Sequence, residues 1–248
     1  MTACQGGLRQ RRLAAPAMVS TVDEIIAEIK ETTDQEIDGY EQWARDGDLS
    51  AHRPCPVAGC GCRFRHRHGW VLRAVLYGGK ERWLRLLRLF CPWCRQTETL
   101  IPEWLLPHSP YPSPFREAAV LHYIGSPAGY RPTAAMFGVD YTLLWGWTRR
   151  LAAGAVDLVG VVVRELLAQE PGAKLELLPV AHGAVLHKAR TAEKRRGLAH
   201  VPLLVQAAEA LRSACRRRAT LPDDGAKAAG ALGWLTRYLP AHGIGPAP

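Results

Sequence analysis

Five cysteines fall within forty residues, and their spacing restricts this chain more than any other feature. They read Cys55-Pro-Val-Ala-Gly-Cys60-Gly-Cys62 and, after an arm of 28 residues, Cys91-Pro-Trp-Cys94. A tetrahedral thiolate site needs two such knuckles, because each short turn presents two sulfurs and the arm brings the second turn back to the first. Pro after the first Cys and Gly beside the second suit those turns. The arm supports this, with a β-prone run Trp70-Val71-Leu72-Arg73-Ala74-Val75-Leu76-Tyr77, a Gly78-Gly79 hairpin turn and a return strand over 81–90. Cys55, Cys60, Cys91 and Cys94 are the expected ligands. The first gap, four residues, is longer than the usual two, so Cys62 stands in reserve, with His66 and His68 also near. Four thiolates would close the coordination sphere of a structural Zn²⁺ and leave no position for an activated water. Its binding energy would then be part of the folding energy. Isolated Cys4 and Cys215 read as inert thiols.

A metal outranks disulfides here because no export signal is legible. The apolar stretch after Arg9, Arg11 and Arg12 is short and broken by proline, unlike the core of a secretory signal, so a reduced cytoplasmic setting is expected. No apolar run reaches the roughly 18 residues of a membrane span; the best candidate, 155–163, is interrupted by Asp157. With 48% hydrophobic residues and eight Trp, the composition excludes a disordered chain. Net charge is +9 over 248 residues, and it is uneven: residues 1–50 carry five basic and ten acidic side chains, residues 51–100 ten and two. The basic excess therefore sits on the cysteine segment, as on a surface facing a polyanion or, equally on charge alone, on a merely solvated basic face.

Five prolines over 102–114 predict an extended connector. Beyond it, Ser113 as N-cap with Pro114 at the first helical position opens a helix to Ile124, stopped by Gly125, Pro127 and Gly129. In the next segment Ala134 precedes Gly138 by four residues, Val139 follows at once, and Leu144 and Trp147 come six and nine residues later. Ala permits close helix approach, Gly makes the turn, and the three apolar residues fix the second helix on the first, the mechanics of a helix-turn-helix. Asp140 is a fitting N-cap for the second helix. Tyr141, Thr142, Trp145, Thr148 and Arg149 are its expected exposed positions, with Arg149 and Arg150 placed to meet phosphate. Gly146 weakens that helix by roughly 1 kcal/mol.

The order Cys-Pro-x-x-Gly-Cys, His68-Gly69, a strand into Cys91-Pro-Trp-Cys94, then Thr97 and Leu100-Ile101-Pro102-Glu-Trp-Leu-Leu-Pro107 before a helix-turn-helix resembles a bacterial zinc-ribbon family of unassigned function. That family is itself similar to the N-terminal DNA-binding regions of insertion-sequence transposases. The resemblance covers about residues 50–152, departs from it at Cys62, and implies DNA binding linked to mobile elements.

Acidic residues and the spacing of Val22, Ile25, Ile26 and Ile29 predict an amphipathic helix or helix pair over 21–43, whose acidic face would pair with the basic arm or repel a duplex. Helices are expected at 155–169, 201–218 and 226–239, with 174–190 left open. The expected fold is mainly α with a small β zinc ribbon: an N-terminal tail and acidic helix to residue 50, the ribbon over 51–107, the helix-turn-helix over 108–152, and a helical region over 153–248. Two-metal transposase chemistry needs three carboxylates on a sheet of well over a hundred residues, and about 97 mostly helical residues follow Leu151, so a non-catalytic protein is expected. The expected function is zinc-stabilised binding of double-stranded DNA. Sequence-independent affinity would come from Arg63, Arg65, Arg67, Arg82, Arg85 and Arg88. A homodimer or a recombinase partner is compatible with the helical tail. The alternatives are a zinc-dependent protein-interaction module and a truncated transposase without its catalytic domain.

Overall fold

Thr21 opens the first helix with a reciprocal cap: its hydroxyl accepts from the Glu24 N–H at 3.3 Å while the Glu24 carboxylate accepts from the Thr21 N–H at 2.6 Å. The helix, α1 (Val22–Asp46), runs unbroken for 25 residues and buries Ile26, Ile37 and Ala44. It belongs to a computed structural model that describes residues 21–173, 188–219 and 230–241. The N-terminal tail, 174–187 of the open stretch and the start of the helix expected from 226 lie outside the described residues.

Two strands follow, β1 (His66–Tyr77) and β2 (Lys80–Phe90), paired antiparallel with Tyr77 opposite Lys80. Gly78 and Gly79 both take positive φ, 53° and 74°, the requirement of a two-residue turn matching the strand twist. A third strand that local sequence did not announce, β3 (Thr97–Thr99), pairs with β2 to give a three-stranded antiparallel sheet. α1 covers the rest of the β2 edge. The Tyr40 hydroxyl accepts from the Leu87 N–H at 3.1 Å and donates to the Leu100 carbonyl at 2.5 Å, and Glu41 accepts from the Arg85 N–H at 3.0 Å. Edge amides that would otherwise invite another strand are thus satisfied within the chain.

The proline-rich connector lies along the opposite edge. Its Pro110 carbonyl accepts from the Leu76 N–H at 2.8 Å, and the Arg73 guanidinium donates to the Leu106 and Ser109 carbonyls at 2.7 and 2.8 Å. The helices after it are α2 (Ser113–Gly125), α3 (Tyr130–Phe137), α4 (Tyr141–Gln169), α5 (Ala192–Ala219) and α6 (Ala231–Ala241). Ser113 is not the N-cap of α2. That position falls on Pro112, and the buried Ser113 hydroxyl donates instead to the Trp104 carbonyl at 2.9 Å. Asp140 does cap α4, accepting from the Thr142 N–H at 2.8 Å. The two helices expected on either side of residue 153 are one, because Ala152-Ala153-Gly154 contains nothing that blocks helical hydrogen bonding. α5 begins nine residues before the expected 201, and Pro202 lies inside it. Thr191 starts it, its hydroxyl accepting from the Lys194 N–H at 3.3 Å. α5 packs so closely on α4 that a Cβ at Gly197 would overlap the Ala152 carbonyl.

Val75, Tyr77, Leu84 and Leu86 join α1 and the later helices in one continuous buried cluster, while Leu87 and Leu89 pack with Ala44 and Leu49 in a smaller one. The chain is therefore mostly helical, with the sheet fastened into the helical core. Among the described residues no helix is long and apolar enough to cross a membrane.

Gly138 sits where hairpin and helices meet. It ends α3 in the left-handed region at φ 65°, and a Cβ on it would come 3.1 Å from the Gly79 nitrogen. Replacing it by alanine is expected to cost about 2 kcal/mol, combining left-handed strain with the displacement of the hairpin tip. Urea denaturation measures this, and a loss under about 0.5 kcal/mol would contradict the contact.

Candidate functional site

The two cysteine knuckles meet at the open end of the hairpin. Gly59 and Gly61, at φ 77° and 67°, turn the chain around Cys60, whose N–H donates to the Val57 carbonyl at 3.0 Å. The loop closes with the Cys55 N–H donating to the Cys62 carbonyl at 2.8 Å. In the second knuckle the Cys91 N–H donates to the Gln96 carbonyl at 2.9 Å, and Arg95 takes the left-handed position at φ 58°. The result is one cluster, in which the Sγ atoms of Cys55, Cys60, Cys91 and Cys94 all lie within 4.8 Å of one another. Cys55 and Cys94 are 3.7 Å apart, Cys60 and Cys91 3.6 Å. A tetrahedron with metal–sulfur bonds of about 2.3 Å has edges of about 3.8 Å, so the set fits a thiolate-bound metal ion. These separations are far beyond the roughly 2.05 Å of a disulfide.

Electrostatics around the sulfurs agree. Burial opposes ionisation of Cys91, but hydrogen bonds from the Cys94 and Trp93 amides and from neighbouring thiols hold its pKa at about 6. At Cys55 the Val57 amide favours the thiolate, yet burial and the other three thiols push it up to about 12. The thiolate is favoured at Cys91 and opposed at Cys55, a balance that a bound cation would tip toward the thiolate at both. Cys62, the reserve ligand, stands outside the set, donating its thiol to the Phe64 carbonyl at 3.0 Å.

The arginines expected to face phosphate divide into two groups. Arg65 is buried, pairs with Glu98 and donates through Nε to the His52 carbonyl at 3.1 Å. Arg67 closes the C-terminus of α1, donating to the carbonyls of Ala44, Arg45 and Gly47. Arg82 bridges Asp34 and Asp38 at 2.9 and 2.8 Å, and Lys80 reaches Asp34 at 2.6 Å. Burial opposes the Asp34 charge, but hydrogen bonds from Lys80, Tyr77 and Arg82 outweigh it and hold that carboxyl at about 2. The acidic helix thus pairs with the basic arm, and these three arginines are structural. Guanidinium groups of Arg63, Arg85 and Arg88 make no such bond among the described residues.

On α4 the N-terminal face is open. Tyr141 and Trp145 are 41% and 46% exposed, and Arg131 and Arg149 lie over their rings at 4.6 and 5.3 Å. Thr142 is exposed, with its hydroxyl turned onto Asp140. Arg149 and Arg150 are exposed as well. Thr148 is not: it is fully buried and donates to the Leu144 carbonyl at 2.8 Å, because the buried face of α4 is wider than the three apolar positions imply.

The sequence reading missed an aromatic surface. Phe64 and Trp93 flank a groove of about 260 Å³ beside the cysteine cluster, together with Arg63 and His66. On the hairpin, Trp70, Leu72 and Trp83 are exposed on one face, with Arg85 opposite Leu72 and Trp83 opposite Ala74. Counting outward from the Gly78-Gly79 turn would have found this, since it fixes which residues face each other. A second cleft of about 710 Å³ lies between α1 and α2, lined by Glu28, Glu36 and Glu117, and is acidic, unsuited to a polyanion. No family model matches the chain, and neither a curated protein nor a solved structure does.

Proposed function

We propose that this chain is a DNA-binding protein stabilised by a structural Zn²⁺ and without catalytic chemistry of its own. In this reading the hairpin with its two knuckles is a zinc ribbon, and α3, the Gly138 turn and α4 are a helix-turn-helix braced by α2. The observation that carries it is the N-terminal face of α4, where an Asp140-capped helix presents Tyr141, Thr142, Trp145 and Arg149 to solvent directly after a left-handed glycine turn. Such a helix end suits a major groove, with side chains toward base edges and arginines toward the backbone. The free guanidinium groups of Arg63, Arg85 and Arg88 supply the sequence-independent part. A relation to mobile-element proteins rests on the sequence resemblance, and the chain would act as regulator or recombinase partner.

The reading is tested with metal-loaded protein and labelled random-sequence duplex, measured by anisotropy between about 50 and 200 mM salt, where phosphate-dominated binding falls by orders of magnitude. Replacing Arg149 by Ala should weaken binding and lower the salt slope by about 1. Salt-insensitive binding, or none, would sink the proposal. A second reading, a zinc-dependent protein-interaction module, is favoured by the exposed Trp70, Leu72 and Trp83 face. It requires metal binding with no affinity for the duplex.

A further inference from the structure

Arg116 leaves α2 toward α4, where its guanidinium carbon lies 5.3 Å from the centre of the Trp147 ring. Its Nε atom is buried and has no hydrogen-bond partner. Among the described residues no carboxylate forms an ion pair with it, and the charged group that acts on it is the like-charged Arg150. Burial, with that repulsion added, lowers its pKa to about 10. Arg150 is one helical turn beyond Gly146 and folds back over it, so that a Cβ at Gly146 would touch its guanidinium nitrogens at 3.6 and 3.7 Å. The glycine that weakens α4 as a helix is therefore the floor on which Arg150 rests.

Two like-charged guanidinium groups thus act on one another, one of them largely desolvated, and among the described residues neither has a carboxylate partner. Such an arrangement is unfavourable unless an anion joins it. The aromatic face of Trp147 supports Arg116 from one side without using its N–H groups, which is how a planar guanidinium is steadied while its donors stay available. Phosphate oxygens match those donors in charge and geometry. We propose that Arg116 and Arg150 form an oxyanion site that takes a phosphate group, and that in the complex this is a backbone phosphate of the duplex beside α4. Only the identity of the phosphate's carrier rests on the DNA reading; the site itself rests on the two arginines and Trp147.

The test uses the full chain, metal-loaded and labelled with 5-fluorotryptophan, with the Trp147 resonance identified by Trp147→Phe. Inorganic phosphate is titrated at constant ionic strength against chloride, and duplex affinity is measured separately for wild type, Arg116→Gln and Arg150→Gln. Phosphate should shift the Trp147 resonance saturably in the wild type and in neither variant. Each variant should bind duplex roughly tenfold or more weakly and with a salt slope smaller by about 1. Arg150 is exposed, so its variant keeps the test valid even if Arg116→Gln folds poorly. A saturable phosphate shift without duplex binding by the wild type would uphold the oxyanion site and remove DNA as its carrier. No phosphate shift, together with unchanged duplex affinity and slope in Arg150→Gln, would overturn the site while leaving DNA binding in place.

Discussion

Replacing Cys91 by serine, or stripping the metal with a chelator, should release the two knuckles while leaving most of the helical core folded. Cys91 is fully buried and lies 3.6 Å from Cys60, so its loss breaks the tetrahedral set at its most enclosed member. Binding free energies of structural thiolate zinc sites are on the order of 10 kcal/mol, and on the zinc reading folding of the knuckles would draw on that energy. Apart from a bound metal, the knuckle segments would be held by the Arg65 contacts to His52 and Glu98 and by a small cluster that, among the described residues, buries Ala44, Leu49, Leu87 and Leu89. Val75, Tyr77, Leu84 and Leu86, by contrast, belong to the main core and should keep the hairpin tip in place. Native mass spectrometry should find one zinc per chain in the wild type and none in Cys91→Ser. Hydrogen exchange should rise sharply over 53–65 and 91–96 and little over α4 and α5. Full metal retention by the variant, or unchanged exchange in the knuckles after chelation, would refute the site.

A second large effect is expected from pH, through Glu117. This residue on α2 is only 9% exposed, and its carboxylate accepts from the Leu232 N–H at 3.0 Å, capping α6 from 115 positions away in sequence. Burial raises its pKa, amides of Leu232 and Ala231 lower it, Glu209 raises it and Arg212 lowers it; burial wins, leaving it at about 7 against an ordinary 4.5. A raised carboxyl means that the folded chain holds its proton more tightly than the unfolded chain. The stabilisation is fully present below about pH 4.5, is lost as pH rises toward 7, and amounts to about 3 kcal/mol across that window. Glu117→Gln keeps an acceptor for the Leu232 N–H but does not titrate. Chemical denaturation should therefore show the variant gaining on the wild type by about 3 kcal/mol between pH 4.5 and 8. A difference independent of pH would mean that Glu117 does not titrate in this range.

What could be read from the sequence was local. The cysteine spacing, the Gly78-Gly79 turn, the left-handed Gly138 and the Asp140 cap each depend on a few neighbouring residues, and each lies where the sequence put it. What could not be read joins distant positions. Nothing near Tyr40 or Glu41 announces that they satisfy the amides of Leu87 and Arg85, and nothing near Glu117 announces α6. Arginines were overcounted as phosphate ligands for the same reason. A charge count registers Arg65, Arg67 and Arg82, but their carboxylate and carbonyl partners come from other elements. Arg116 was overlooked because a single arginine in an apolar helix carries no pattern, and only the folded chain sets it beside Trp147 and Arg150.

Hairpin tips are ordinarily the places where a chain tolerates added residues, since their backbone faces solvent. In this protein the tip is occupied on two sides: a Cβ at Gly78 would run into the Lys30 and Ile26 side chains of α1, and Gly79 meets Gly138 backbone to backbone. A tag, a linker or a new chain terminus introduced between residues 78 and 79 would have to part α1 from the α3–α4 turn, so the tip of this hairpin serves as a keystone closed to insertion.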